Sequence, residues 1–417
     1  MLNLTVIGDD LTGTVDAVSL GVRSGASARE IIGPNCLIIP PDPLKKEVLG
    51  INTSSRTLSG IDAYQIVKKV TIQVAKGPEQ IILKKMDTGF RGNAAYEIEG
   101  MLDALNKKLC FILEHIPIRK TFTLYGYQFS AGQLLEKSVF SRDDLLKAPK
   151  ESYIPSILSK DTNIPIGTVN IDAVKSNHII EATKEQIRKG KKIIVFDVIT
   201  TEDGHNIVNQ LQPIYPDVLW AGTTGVIEAV INYLYGPQVN KELIIPQKKT
   251  ICFSGTAYQA TKEQINYAQK YSNLKVYNLD IGRVLKGDKN VFEEILNKSL
   301  RENSLGKNIL IRQKVPKQYE TPGIEHKIEA SLCKIAEMLT QKADFEQILV
   351  IGGETSQAIF STLGVQTLEL FDPIIIGCGR GRFTDGPLRG KYFAIKGGSI
   401  GSASVLLDLL GIKAGSI

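Results

Sequence analysis

Ile81-Ile82-Leu83-Lys84-Lys85-Met86-Asp87-Thr88-Gly89-Phe90-Arg91-Gly92-Asn93 sets an apolar run directly before two lysines, an aspartate, an arginine and two glycines. The spacing predicts a buried strand over Gln80–Leu83, a loop at its carboxyl end, and a helix from about Ala94 to Asn106. Ligands of open parallel sheets bind at the carboxyl ends of strands. The charged stretch therefore reads as the anion-handling centre of a substrate site. The competing reading is a solvated strand-to-helix turn.

The preceding chain repeats the pattern. Leu4-Thr5-Val6-Ile7 is a β-prone run that ends in Gly8-Asp9-Asp10-Leu11-Thr12-Gly13, and Thr14 to Gly21 carries apolar residues at helical spacing. Adjacent aspartates point in different directions, so one faces the sheet's crevice while the other is placed to cap the helix. Gly50-Ile51-Asn52-Thr53-Ser54-Ser55-Arg56-Thr57 puts hydroxyl residues and one arginine in a loop before a helix from about Gly60 to Ala75. Alternation of strand and helix at this spacing implies right-handed βαβ crossovers and a mostly parallel sheet. Three consecutive strand ends then offer Asp9 and Asp10, Arg56, and Lys85, Asp87 and Arg91. A hydroxylated acid needs that combination, cations for its carboxylate and aspartates for its hydroxyls.

Leu109–Leu113 and Ile193–Asp197 read as further strands, with an aromatic turn at Tyr125-Gly126-Tyr127-Gln128. Prolines and charges over Gly236–Lys249 mark a domain boundary. Beyond it, Thr250–Phe253 is a strand ending in Ser254-Gly255-Thr256-Ala257, with a helix from about Tyr258 to Ala268. Gln347–Ile351 is another, ending in Gly352-Gly353-Glu354-Thr355-Ser356. Lys391–Ile395 is a last strand, leading into Lys396-Gly397-Gly398-Ser399-Ile400-Gly401-Ser402 and a helix over Ala403–Leu410. Glycine-rich strand ends that open helices suit close approach to phosphate. The spacing of a P-loop is absent, and so is a dinucleotide fingerprint after the first strand. Gly377-Cys378-Gly379-Arg380-Gly381-Arg382-Phe383-Thr384-Asp385-Gly386 is expected to form a loop, either a basic flap or a solvated hairpin.

At 417 residues, two domains are expected. The composition is 43% hydrophobic and 23% charged, with no apolar segment of membrane-spanning length, and the start lacks the pattern of a secretory signal, so a cytoplasmic location is expected. Fifty basic against 44 acidic residues give a net charge of +6, spread along the chain. That field is too weak to argue for nucleic acid, though it suits small acidic ligands. The five cysteines and four histidines show no metal-ligand spacing.

Together these stretches resemble the four-carbon acid sugar kinase family, ATP-dependent kinases of threonate, erythronate and 3-oxo-tetronate type acids. Gly8-Asp9-Asp10-Leu11-Thr12-Gly13 with Asp16, Ser55-Arg56, and Lys85 to Asn93 are similar to its sugar-binding domain. Ser254-Gly255, Gly352-Gly353-Glu354-Thr355 and Lys396-Gly397-Gly398-Ser399-Ile400-Gly401 are similar to its nucleotide-binding domain. The resemblance implies an α/β fold of two domains, each a mostly parallel sheet flanked by helices. Residues 1–240 would bind the sugar acid and 245–417 the nucleotide, with the active site in the cleft between them.

It also implies ATP and Mg²⁺ as cofactors and a small-molecule sugar acid as substrate, with no nucleic acid or membrane partner; a homodimer is compatible with it. Asp10 or Asp87 would orient or deprotonate the attacking hydroxyl. Arg56, Lys85 and Arg91 would hold the carboxylate, with Asp9, Thr12 and Asn93 completing the substrate site. Ser254, Gly255, Gly352, Gly353, Glu354, Thr355, Lys396, Gly397, Gly398 and Gly401 would hold the nucleotide, and no metal ligand is assigned. Three segments depart from the family pattern, one of them the basic stretch Gly379 to Gly386, which has no counterpart in it. Thr88-Gly89 stands where the family usually has Ser-Thr, and Glu114-His115-Ile116-Pro117-Ile118-Arg119-Lys120 replaces an Ala-x-Pro segment with a Gly-Arg. A nucleotide-regulated sugar-acid-binding protein without turnover, and a kinase of a different small hydroxy acid, are the alternative functions.

Overall fold

The computed structural model describes residues 3–42, 44–75, 80–143, 149–239, 245–319 and 323–412. The chain divides into two compact units, Met1–Val239 and Asn240–Ile417. Within the predicted boundary Gly236–Lys249, residues 240–244 lie outside the described residues.

The first unit is built on a parallel sheet. Its strands are β1 (Asn3–Gly8), β2 (Ser27–Ile31), β3 (Glu47–Asn52), β4 (Gln80–Lys85) and β5 (Cys110–Leu113). A small antiparallel sheet of β6 (Phe122–Leu124), β7 (Tyr127–Ser130) and β8 (Gln133–Leu134) interrupts the series, which resumes with β9 (Ile166–Val169), β10 (Ile193–Phe196) and β11 (Leu219–Gly222). The spatial order is β2-β3-β1-β4-β11-β5-β10-β9. Parallel strands need crossovers, and these supply the helices Leu11–Ser19, Gly60–Val74 and Ala94–Leu105, while Thr224–Tyr235 follows the last strand. Ile7, Ile51, Ile82, Ile112 and Val195 form one core with Val67 and Val70 of the second helix and Ile98 and Met101 of the third.

Register decides what meets at the carboxyl edge. Gly8 pairs with Asn52 and with Lys85, while Gly222 pairs with Lys85 and with Leu113. The residues that follow these strand ends therefore line one edge together. The aromatic turn is the two-residue turn between β6 and β7, with Tyr125 at φ 49° and Gly126 at φ 75°. Asp197, the residue after β10, anchors it by accepting the N–H groups of Tyr125 at 2.6 Å and Gly126 at 2.8 Å.

The second unit has strands β12 (Thr250–Ser254), β13 (Lys275–Asp280), β14 (Ile309–Lys314), β15 (Gln347–Ile351), β16 (Thr367–Leu370), β17 (Cys378–Phe383) and β18 (Tyr392–Lys396). Their order is β13-β14-β12-β15-β18-β17-β16, with the first five parallel and β17 antiparallel to both neighbours. Each unit is thus a mostly parallel sheet flanked by helices. Helices Gln259–Lys270 and Val405–Leu410 pack on Cys252, Leu310, Leu349 and Ala394. No helix among the described residues is long and apolar enough to cross a membrane.

One expectation is corrected here. The basic, glycine-rich stretch is not a loop over Cys378–Phe383 but strand β17. A β-carbon on Gly381 would come within 1.9 Å of the Glu369 carbonyl oxygen, so the glycine admits a neighbouring backbone at close range. The arginines are engaged locally, Arg382 with Glu369 at 2.6 Å and Arg380 with the Asp372 carbonyl at 2.8 Å. Glycine is depleted in strands generally, which is why this composition reads as a loop.

Candidate active site

Asp9 follows β1 and is 3% exposed, and Asp10 caps the helix Leu11–Ser19, accepting the Gly13 N–H on Oδ2. Capping does not remove Asp10 from the cluster, because its other oxygen faces Arg56. The Arg56 guanidinium donates from Nε to Asp9 Oδ2 at 2.8 Å and from Nη2 to Asp9 Oδ1 at 3.1 Å; the same Nη2 reaches Asp10 Oδ1 at 2.6 Å. It also lies 3.4 Å from Asp87 Oδ1. Burial alone would lower the Arg56 pKa, but the charges of Asp10, Asp87 and Asp9 outweigh it and raise the group well above its ordinary value.

Asp87 is held from the other side by Arg91, with Nε to Oδ2 at 2.8 Å and Nη2 to Oδ1 at 2.9 Å, and it accepts the backbone N–H groups of Gly89 and Arg91. The Arg91 guanidinium stacks 4.7 Å from the Phe140 ring centroid. Burial pushes the Asp87 carboxyl up, yet Arg56 and Arg91 reverse that and hold it well below the usual carboxylate range. Asp9 is lowered in the same way, burial being outweighed by Arg56 and Lys84.

Successive strand residues face opposite sides of a sheet, so Lys84 and Lys85 part company. Lys84 turns into the protein and pairs with Glu97 of the helix Ala94–Leu105, Nζ to Oε2 2.7 Å, while Ser55 donates its hydroxyl to the other Glu97 oxygen. Lys85 turns toward the Asp9–Gly13 loop. Its Nζ donates to the Met86 carbonyl at 2.6 Å and lies so near Gly13 that a β-carbon there would come within 3.2 Å of it. Thr12 is buried with its hydroxyl unpartnered, and Asn93 ties down the Arg56 loop by donating to the carbonyls of Ser55 at 2.9 Å and Leu58 at 3.0 Å. The fold therefore brings Asp9, Asp10, Thr12, Arg56, Lys85, Asp87 and Arg91 to one edge, with Asn93 as a loop tie behind them. The Lys84–Glu97–Ser55 network and Phe140 were not anticipated. The signal for the first was the lysine pair itself, since one of two adjacent strand lysines must face inward and needs a carboxylate.

In the second unit the ends of β12, β15 and β18 converge. Gly352 adopts φ 120° and precedes the helix Gly353–Thr362 with no side-chain cap hydrogen bond, an arrangement in which the first turn's N–H groups could hold an anion. Glu354 and Thr355 lie in its first turn. A β-carbon on Gly255 would stand 2.0 Å from Thr355 Oγ1, so the two loops touch through a glycine. Ser254 Oγ is buried and unpartnered. Lys396 is buried and does not extend outward; its Nζ donates to the carbonyls of Gly397 at 2.7 Å, Ile400 at 3.1 Å and Gly398 at 3.3 Å, and burial brings its pKa down to about 8. Gln264 donates to the Ile400 and Gly401 carbonyls at 3.0 Å each. Lys396 and Gln264 thereby shape the Gly397–Gly401 loop from beneath.

The sequence matches two family models, a sugar-binding N-terminal domain over residues 4–230 and a nucleotide-binding C-terminal domain over residues 251–406. Among curated proteins it is 24% identical to a D-erythronate kinase of Heliobacterium modesticaldum, covering 97% of this chain and 95% of that protein. It is 23% identical to a D-threonate kinase of Salmonella typhimurium (98% and 98%) and 22% identical to a 3-oxo-tetronate kinase of Pectobacterium atrosepticum (96% and 97%). A solved structure from Salmonella typhimurium LT2 superposes with a TM-score of 0.82 at 19% identity, over 98% of this chain and 99% of that one. A Haemophilus influenzae protein superposes with a TM-score of 0.72 at 18% identity, over 96% and 97%. The two superpositions show a shared fold.

Proposed function

The chain belongs to the four-carbon acid sugar kinase family, and on that premise we propose that it transfers the γ-phosphoryl group of ATP to a hydroxyl of a four-carbon sugar acid such as threonate, erythronate or 3-oxo-tetronate. The observation that carries the reading is the grip of one guanidinium, Arg56, on Asp9 and Asp10 with Asp87 beside it, at an edge that also presents Lys85 and Arg91. Residues 1–240 are assigned to the sugar acid and 245–417 to the nucleotide.

The carboxylate of the acid is assigned to Lys85, with Arg56 and Arg91 adding positive charge. Among the described residues no carboxylate lies within ion-pair distance of Lys85, whereas both arginines already hold aspartates. Asp10 and Asp87 divide the remaining work. Asp87 is fixed by four hydrogen bonds involving Arg91 and Gly89 and is held far below the usual range, which makes it a weak proton acceptor and a rigid organiser. Asp10 is the base of this proposal, oriented by Arg56 and by the helix cap. A carboxylate suffices, because the loose transition state of phosphoryl transfer retains the nucleophile's proton until late.

The second unit fits a nucleotide's phosphates. The uncapped N-terminus at Gly353, the unpartnered Ser254 hydroxyl and the glycines at 255 and 352 are donors and space for an anion. Among the described residues no cluster of three or more His, Cys, Asp or Glu forms a metal cage. Mg²⁺ is accordingly assigned to the nucleotide's own phosphates and water, with Glu354 the carboxylate of the adjoining turn. Bound MgATP supplies the phosphoryl group with its charge partly neutralised.

A coupled ADP-release assay over C4 to C6 sugar acids with Mg²⁺ tests the reading. Turnover on at least one four-carbon acid is expected, with Asp10→Asn lowering kcat by roughly 100-fold while ATP affinity holds. No ADP from any acid would overturn the kinase reading, and acid binding without ADP would favour a nucleotide-regulated binding protein. Wild-type turnover in Asp10→Asn would remove Asp10 as the base.

A further inference from the structure

Glu114 is the residue after β5, one position past Leu113, which stands level with Gly222 and, through it, with Lys85. It thus lies on the same carboxyl edge as Asp9 and Asp87. Its main chain is pinned on both sides: Thr123 donates its hydroxyl to the Glu114 carbonyl at 3.0 Å, and the next N–H, that of His115, donates to Thr223 Oγ1 at 3.0 Å. The side chain is completely buried, yet neither carboxyl oxygen has a hydrogen-bond partner. Burying a carboxyl without a partner costs stability, and such a group calls for an explanation.

We propose, resting on the sugar-acid reading of this edge, that Glu114 is a specificity-determining residue whose carboxyl hydrogen-bonds an oxygen of the bound acid. The charged groups it senses are those of the site itself. Burial raises its pKa well above the usual carboxylate range; Lys85 opposes the rise, and Asp87 and Asp9 add to it. Burial thus favours the protonated form of Glu114, which offers both an O–H donor and a carbonyl acceptor, the pair that a substrate hydroxyl accepts from and donates to. Keeping it neutral also matters for an anionic ligand. Asp9, Asp10 and Asp87 are balanced by Arg56, Lys85 and Arg91, and a fourth carboxylate would tip the edge toward repulsion of the acid.

Glu30 is a useful contrast. It is equally buried and equally unpartnered, but its carboxyl lies over mid-strand Gly50, where a β-carbon would come within 1.7 Å of Oε2, and not at the strand ends.

The test compares wild type, Glu114→Gln and Glu114→Leu by calorimetric titration with the four-carbon acids and with ATP, and by KM and kcat on any acid that turns over. Gln keeps a donor and an acceptor and carries no charge, so its affinity for the acid is expected within about threefold of wild type; Leu is expected to lose about tenfold or more, with ATP affinity unchanged. Glu114→Ser, which is too short to reach, replaces Leu if that variant does not fold and is expected to show the same loss. Equal acid affinity in wild type and Leu or Ser would overturn the assignment of Glu114 alone. Failure of wild type to bind any of the acids would overturn the sugar-acid reading, and this inference with it.

Discussion

Lys84 and Glu97 form an ion pair, Nζ to Oε2 2.7 Å, with side chains 0% and 2% exposed, directly behind the strand end that carries Lys85 and Asp87. It joins β4 to the helix that follows the charged loop, so it sets where that loop begins and ends. Removing one partner of a buried pair leaves an uncompensated charge, which costs about 3–5 kcal/mol. Glu97→Leu is expected to lower the unfolding free energy in urea by that amount. The double variant Lys84→Met/Glu97→Leu should recover much of it, because the stranded charge is then gone. A single variant as stable as wild type would count against the pairing.

Arg56 should not tolerate lysine. Its planar fork contacts Asp9 through two nitrogens while reaching Asp10, a geometry a single ammonium does not reproduce. Arg56→Lys is expected to reduce kcat/KM for the sugar acid on the order of 100-fold, the loss of one or two charge-assisted hydrogen bonds, with ATP binding intact. Steady-state kinetics in both substrates check this.

The nucleotide loops should be sensitive at Gly255. A β-carbon there would meet Thr355 Oγ1 at 2.0 Å, pushing the β12 loop away from the helix N-terminus. Overpacking of this kind costs about 1–3 kcal/mol, so Gly255→Ala should weaken ATP binding about tenfold. Sugar-acid affinity, measured without nucleotide, should not move.

Glu30 predicts a pH effect on stability. Burial raises its pKa well above the ordinary value of 4.5, and the Asp10 charge raises it further. Above pH 4.5 the unfolded chain loses this proton while the folded protein keeps it. The folded state then binds more protons, and stability falls as pH rises toward the folded pKa. Glu30→Gln removes this contribution. The variant should therefore gain stability relative to wild type as pH rises above 4.5 in denaturant unfolding, and a constant difference would show that Glu30 is ionised in the fold.

Much of this was legible in the chain. Strand, glycine-bearing loop and helix follow one another at Leu4–Gly21, Gln80–Asn106 and Gln347–Leu363, and the helices run over Leu11–Ser19, Ala94–Leu105 and Gly353–Thr362. Such signals are local, because hydrophobic period and turn chemistry are properties of neighbours. The same locality misleads at Cys378–Phe383, where only the strands on either side make a glycine-arginine repeat into β17.

The sequence by itself determined the alternation of strands and helices, the sheet edge at which charge collects, and the residue types gathered there. Tertiary structure alone decided which charges pair. It sent Lys84 to Glu97 and Lys85 to the edge, shared Arg56 between Asp9 and Asp10 while Arg91 locked Asp87, turned Lys396 inward beneath its loop, and left Glu114 buried without a partner. The reason is physical. A side chain's partner and burial depend on strand register and on residues tens of positions away, and these exist only once the sheet has formed.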